Sequence, residues 1–328
     1  MQPLPHRPEA ASPDKPGSEG DHPADVEVLE AAGIQWVALA GVGADEVAWV
    51  RQHHSFHPLA MEDLTSRNQR PKVDDYGREL FIVLYFPLLD TSTGSLRTVE
   101  VDIFVSRDFI VSVPRAGIPG IEDLFERYRS MEDARLEDFR RGTGYLVYRI
   151  IDAAIDNGFP ILKGIGDALE RIEDSVFDAS SDATVRAIAA AKTNIIDFRR
   201  LARPQRATYR QLKRAFRERD GSPELDPYFD DAIDASERTW DLLEAYVEVV
   251  TGLETTNQNI RGARVNNTVR ILTAWSVVIL PLTLVASIFG MNVRVPGEGE
   301  IVAFWIIVLG MAVGLVLTVR YFRRRDWL

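Results

Sequence analysis

Two stretches near the C-terminus constrain this chain more than anything else in it. Ile271 to Phe289 is 19 residues without a charge, and Ile301 to Val319 is another 19. At 1.5 Å per residue each makes a helix about 28 Å long, close to the ~30 Å hydrocarbon thickness of a bilayer. Two buried core helices have a similar composition, but a globular core rarely needs two such runs back to back. The runs therefore read as membrane spans. Only residues 290–300 separate them, which makes a tight helical hairpin. Pro281 inside the first run is tolerable in a membrane, where neighbouring groups satisfy the carbonyl it frees.

The arginines give an orientation. Arg261, Arg264 and Arg270 precede the first span, Arg320 and Arg323 to Arg325 follow the second, and the loop has only Arg294. The positive-inside rule places both termini in the cytoplasm, and the chain is expected to be a multi-pass protein of the cell (plasma or inner) membrane. The start of the sequence shows no charged-then-apolar leader, so the large N-terminal body is expected to stay inside. Trp305, Tyr321 and Trp327 suit interfacial anchors or packing positions. The net charge of −11 belongs to that body, because arginines outnumber acids from Arg270 onward. An acidic body argues against nucleic acid as a partner. The absence of cysteine excludes disulfides, thiolate zinc sites, iron–sulfur clusters and a cysteine nucleophile.

Residues 1–24 hold six prolines and few large apolar side chains, and read as a disordered tail. Residues 25–120 read as a cytoplasmic α/β domain. Strands are expected at Ile34–Ala40, Leu80–Leu88, Thr98–Val105 and Phe109–Val113, with short helices at Ala44–His54 and Pro58–Ser66. Strand order, parallel or antiparallel, is left open. Strand signals stop after Gly120, and residues 121–227 read as a helical hairpin region. Long helical stretches run over Tyr145–Phe177, with a kink expected at Pro160, and over Ala183–Arg219, with another at Pro204. Residues 228–291 read as one long helix containing the first span, 271–289. Residues 290–300 form the external loop, 301–319 the second span and 320–328 a basic cytoplasmic end. A 64-residue helix is about 95 Å long, and one that long must bundle.

Its seam is Asn266, Val269, Thr273, Ser276, Leu280, Thr283 and Ser287, alternating steps of three and four. Four hydroxyls run along this stripe through an otherwise apolar span. Small hydroxylated residues let membrane helices pack closely, and the same residues can line a pore built from several copies of the helix. Two spans cannot enclose a path, so the pore reading demands a cyclic homo-oligomer. Asp226, Asp230, Asp231 and Asp234 cluster where the long helix begins, and acids there suit the positive end of its dipole.

The first span ends in Phe289-Gly290-Met291-Asn292, and the chain ends in Tyr321-Phe322-Arg323-Arg324-Arg325-Asp326-Trp327-Leu328. Upstream stand His57-Pro58-Leu59-Ala60-Met61-Glu62-Asp63 and Asn68-Gln69-Arg70-Pro71-Lys72-Val73. Together these resemble the CorA family of divalent-cation transporters, with its aromatic-Gly-Met-Asn signature, its basic Trp-Leu end, and its His-Pro-Leu-x-x-Glu-Asp and Gln-Arg-Pro-Lys-Val segments. The resemblance covers nearly everything after residue 24. It implies a funnel-shaped homopentamer in which the first spans line a pore for Mg2+, with Co2+ and Ni2+ as further substrates. A ZntB-type branch of the same superfamily handles Zn2+.

In that reading Gly290, Met291 and Asn292 form the selective pore mouth. A ring of neutral oxygens there suits Mg2+, which gives up its water reluctantly. Asn292 taken alone also suits a helix C-cap. With no cysteine and no span histidine, the chain lacks the softer donors that suit Zn2+. Asp63 and Asp231 fall where the family places a cytoplasmic regulatory Mg2+ site across a subunit boundary, with Glu62 beside Asp63. Taken alone, Asp63 is an ordinary surface acid. The loop departs from the family's common Met-Pro-Glu-Leu string and carries Arg294 near the entrance, while Glu298 and Glu300 supply an attracting field. No P-loop and no catalytic triad is present, so an enzyme and an organic cofactor are not expected. The competing functions are transport of Zn2+ or Co2+, and a membrane-anchored sensor that conducts nothing.

Overall fold

The computed structural model describes residues 26–66, 70–177, 182–221, 223–291 and 301–325. The tail expected over residues 1–24 lies outside them. The chain divides into two compact units, Met1–Gly166 with Thr193–Ala245, and Asp167–Lys192 with Tyr246–Leu328.

The first unit is built on a six-stranded sheet, in the order β1 (Val26–Ala31), β2 (Ile34–Leu39), β6 (Phe109–Pro114), β5 (Ser95–Val105), β4 (Leu80–Asp90) and β3 (Lys72–Asp75). β2 and β6 run parallel; every other pair is antiparallel. β1 turns into β2 through Ala32 and Gly33, both at positive φ (52° and 78°), the left-handed pair that suits a two-residue hairpin turn. β4 is apolar almost throughout because both faces of the sheet are covered there. Leu80, Ile82, Leu84 and Phe86 point to one side, where α3 (Pro119–Ser130), α4 (Glu132–Phe139) and α5 (Thr143–Asp156) close the larger core. Phe81 and Val83 point to the other, against Trp49 and Val50 of α1 (Ala44–His53) and Ala60, Met61 and Leu64 of α2 (Pro58–Thr65). The fully buried Trp36 donates its indole N–H to Ser112 Oγ at 2.9 Å, which satisfies the one polar atom it brings into the core.

Long helices follow: α6 (Gly158–Val176), α7 (Asp182–Asp220), α8 (Asp226–Phe289) and α9 (Ile301–Arg324). The stretch expected as one kinked helix from Tyr145 is two helices that part at Asn157. Pro160 stands in the first turn of α6, where a missing N–H costs nothing, and so starts a helix instead of kinking one. Pro204 lies within the uninterrupted α7. In the first unit α7 and α8 are laced together by Lys213 with Asp230 (2.6 Å), by Arg199 with Glu244, and by Phe216 stacked on Phe229 at 5.2 Å. In the second unit Lys192 pairs with Glu254 at 2.6 Å and Arg261 with Asp182 at 3.5 Å. Among the described residues, α8 and α9 contain the two segments long and apolar enough to cross a membrane.

One glycine decides how closely α3 approaches α5. A Cβ on Gly120 would stand 2.1 Å from the Ala153 carbonyl oxygen, inside any permitted contact with a backbone atom. Gly120→Ala should therefore destabilise the fold by ~1–3 kcal/mol, as overpacking does. Thermal unfolding of the detergent-solubilised chain, followed by circular dichroism, checks this; an unchanged midpoint would mean the two helices separate freely.

Candidate functional site

The seam residues of the first span lie on one face of α8, and all seven are exposed in the single chain. α9 takes a different face. Ala274 and Val278 are buried against Phe322, with Val319 packed alongside. At ~100° per residue, the seam lies on roughly the opposite side of α8 from that contact. The stripe is thus left free for something other than the chain's own second span. Leu272, Trp275, Ser276, Ile279, Leu280, Thr283, Leu284 and Ser287 line a shallow open groove along this side.

Hydroxyl chemistry on this face is ordered. Thr273 Oγ1 donates to Val269 O at 2.8 Å, Ser276 Oγ to Leu272 O at 2.9 Å, and Thr283 Oγ1 to Ile279 O at 3.0 Å. Each hydroxyl has one proton to give, and each gives it to the helix backbone. What remains on the oxygen is lone pairs. The span ends at Phe289, with Gly290 N–H bonded to Ala286 O at 2.9 Å and Met291 N–H to Ile288 O at 3.4 Å. Asn292, Arg294, Glu298 and Glu300 lie outside the described residues.

Asp63 and Glu62 ride on α2, whose two ends are tied to the sheet. At its start the His57 N–H donates to Glu79 Oε1 at 2.7 Å, and the His57 ring stacks on Tyr76 at 4.4 Å. At its end the Arg115 guanidinium donates to the Leu64 and Ser66 carbonyls, both at 2.7 Å, and so caps carbonyls that have no partner within the helix. Arg115 is itself held by Asp102 at 3.0 Å and Glu100 at 3.4 Å, adjacent same-face positions of β5. Asp102 is fully buried, and its other oxygen has no partner among the described residues. Burial, and then the charge of Glu100, push its carboxyl up to about 8 against the pull of Arg115. Asp63 pairs with Lys72 Nζ at 2.6 Å. Burial works against the Lys72 ammonium, but hydrogen bonds and charge from Asp63 and Asp74 outweigh it and raise its pKa above the usual lysine value.

The acids at the start of α8 have separate fates. Asp230 pairs with Lys213, and Asp226 lies 3.5 Å from Arg217 and 4.0 Å from Lys213, so these two serve the α7–α8 contact. Asp231 instead accepts a hydrogen bond from Tyr148 Oη of α5 at 3.3 Å. Asp152 of α5 has its pKa raised by burial, and then by the charges of Asp156 and Asp231. Within one chain no group of three or more His, Asp or Glu among the described residues is gathered to hold a metal ion. Asp63 and Asp231 thus belong to two separate clusters. Sequence reasoning missed Arg115, Glu100, Asp102 and Asp152; the one available signal was a pair of acids two apart in an apolar strand, which must share a face.

An α/β domain followed along the chain by long helices, two of them long and apolar enough to cross a membrane among the described residues, defines the class of membrane proteins with a folded N-terminal domain. A family model described as CorA-like Mg2+ transporter protein matches residues 31–324, and the chain belongs to that family of transporters, which are not enzymes. The cobalt/magnesium transport protein CorA of Thermotoga maritima is 28% identical over 300 residues, covering 89% of this chain and 83% of that protein. The complete structure of the CorA magnesium transporter from Methanocaldococcus jannaschii superposes with a TM-score of 0.80 at 19% identity, over 90% of this chain and 92% of that one. The ZntB cytoplasmic domain from Vibrio parahaemolyticus gives 0.59 at 15% identity, over 72% and 91%. The two structural likenesses speak for the fold.

The Asp102 environment generates a prediction. Its folded pKa stands above the unfolded carboxylate value near 3.9, so between about pH 4 and 8 the folded chain binds more protons than the unfolded one. Its contribution to stability therefore falls as pH rises across that window. Asp102→Asn should remove this part of the dependence, so its unfolding midpoint gains on the wild type's as pH rises from 5 to 8.5. Parallel midpoint curves for the two proteins would show that Asp102 ionises normally.

Proposed function

We propose that the chain assembles as a homopentamer whose first spans line a pore for Mg2+, and that cytoplasmic Mg2+ closes it. The observation that carries this reading is the exposed stripe of α8, turned away from α9, in which Thr273, Ser276 and Thr283 give their hydroxyl protons to the backbone. A mere anchor needs no such face, which disfavours a sensor that conducts nothing. Five copies would present rings of oxygen lone pairs to a hydrated cation. Gly290, Met291 and Asn292 would form the outer mouth, with Glu298 and Glu300 drawing cations toward it despite Arg294. The arginine flanks support cytoplasmic termini. A potential of 100 mV, negative inside, favours inward movement of a divalent ion by about 4.6 kcal/mol, so no ATP site is needed.

Regulation would sit where Asp63 and Glu62 of one subunit meet Asp231 across the boundary with the next. Acids brought together repel until a cation bridges them, so bound Mg2+ would favour the closed ring. The location of Asp63 and Asp231 in two separate clusters of one chain agrees with a site completed only by a neighbour. Co2+ and Zn2+ are the alternative cargoes. The absence of cysteine from the chain and of histidine from the spans weighs against zinc.

Flux of Mg2+, Co2+ and Zn2+, each tested separately in liposomes holding the purified protein, tests the proposal. Asn292→Ala should remove Mg2+ flux and leave the oligomer intact in mild detergent. Uptake at the wild-type rate would end the assignment of Asn292 to the mouth. The double variant Asp63→Ala, Asp231→Ala should still conduct but resist inhibition by internal Mg2+, since regulatory couplings are typically ~1–3 kcal/mol per site. Protease protection of the soluble body, titrated with Mg2+, reports this directly. Equal midpoints in wild type and double variant would discard the regulatory site and leave the pore standing.

A further inference from the structure

The cation expected at Asp63 has a rival inside the chain. Lys72 opens β3, and its Nζ lies 2.6 Å from Asp63 Oδ2 and 2.7 Å from Asp74 Oδ2. One ammonium is shared between a carboxylate on α2 and another on its own strand. The side chains of Lys72, Asp63 and Asp74 are 31%, 29% and 37% exposed, so water reaches all three. Ion pairs in such surroundings are weak and exchange readily. Lys72 Nζ also lies over the Phe81 ring, 5.4 Å from its centroid, a further contact that favours the ammonium at this place.

A divalent cation arriving from solvent therefore meets an Asp63 already neutralised. To use that carboxylate as a ligand it must displace the ammonium. Asp74 gives the ammonium somewhere to go, so displacement leaves no stranded charge. We propose that Lys72 is a tethered counter-cation that competes with the regulatory divalent cation for Asp63, with Asp74 holding the ammonium when the cation binds. This rests on the reading of Asp63 as a regulatory ligand. The tether fixes the rival's local concentration, so the competition acts as a constant offset. The ring then responds at a higher Mg2+ concentration than bare carboxylates would set. A salt bridge that served only the fold would behave differently: its loss could loosen α2 but could not strengthen cation binding.

The test uses the full chain in mild detergent and reads the Mg2+ midpoint of protease protection, with Mg2+ as the only divalent ion added. Lys72→Gln should lower the midpoint by about fivefold, the order of an exposed ion pair. Arg70→Gln removes the same charge two residues away on an exposed side chain, and should shift it less. Asp74→Asn leaves the ammonium only Asp63 to hold, and should raise the midpoint. Lys72→Arg keeps a cation there and should restore a midpoint at or above that of wild type. A Lys72→Gln midpoint that is unchanged, raised, or lowered only as far as that of Arg70→Gln overturns the competition. Asp63→Ala separates the two levels. If it raises the midpoint while Lys72→Gln does not lower it, only the competition falls; if it moves nothing, the regulatory reading falls and takes the competition with it. Should Lys72→Gln fail to fold, Asp74→Asn decides, and a midpoint that does not rise overturns the proposal.

Discussion

A peptide group in hydrocarbon has no water to bond to, and the apolar stretches 271–289 and 301–319 take their form from that fact. α8 answers it with one uninterrupted helix from Asp226 to Phe289. Pro281 has no N–H to offer the carbonyl four residues before it, and the helix passes through nonetheless. Hydroxyls that would be costly in lipid bond to the carbonyls of the preceding turn. With the backbone satisfied, the side chains decide what each face does. Ala274 and Val278 make the face that receives Phe322, and the seam residues make the face that the chain itself leaves uncovered.

In the first unit the comparable constraint is a buried pair of acids. Glu100 and Asp102 are placed by strand pleat on a face otherwise filled by apolar side chains, and one guanidinium answers both. Removing one partner of such a group leaves the rest buried without compensation, typically a loss of ~3–5 kcal/mol. Arg115 spends its remaining hydrogen bonds on the end of α2. The acid-bearing helix is therefore fixed to the sheet by a charge network and not by apolar packing alone. Lys72 and Asp63 lie at the wet margin of that arrangement.

What the sequence made legible follows the same division. β2, β4, β5 and β6 could be read from β-branched and aromatic runs, and α8 and α9 from apolar length. β3 could not, because Lys72, Asp74 and Asp75 leave it one apolar residue; it exists as an edge strand through backbone pairing to β4. Sheet order was hidden because doubly buried strands lose the alternation that marks an inside and an outside. The Gly-Met-Asn signature pointed to the family only through its place at the end of the first span, together with the His57–Asp63 and Asn68–Val73 segments and the basic Trp-Leu end. The capping of α2 by Arg115 joins residues 51 apart in sequence, and no local pattern announces such a bond.

The back-bonded hydroxyls of α8 have a further consequence. Thr273, Ser276 and Thr283 have each given away their only proton, so an ion travelling beside them meets acceptors and no donors. A chloride or phosphate would find nothing in those three groups to replace its hydration, while a hydrated cation would find oxygens for the outward-facing protons of its water shell. At these three positions the sign of an ion's charge could thus be sorted without a formal charge, and independently of pH, since none of the three groups titrates.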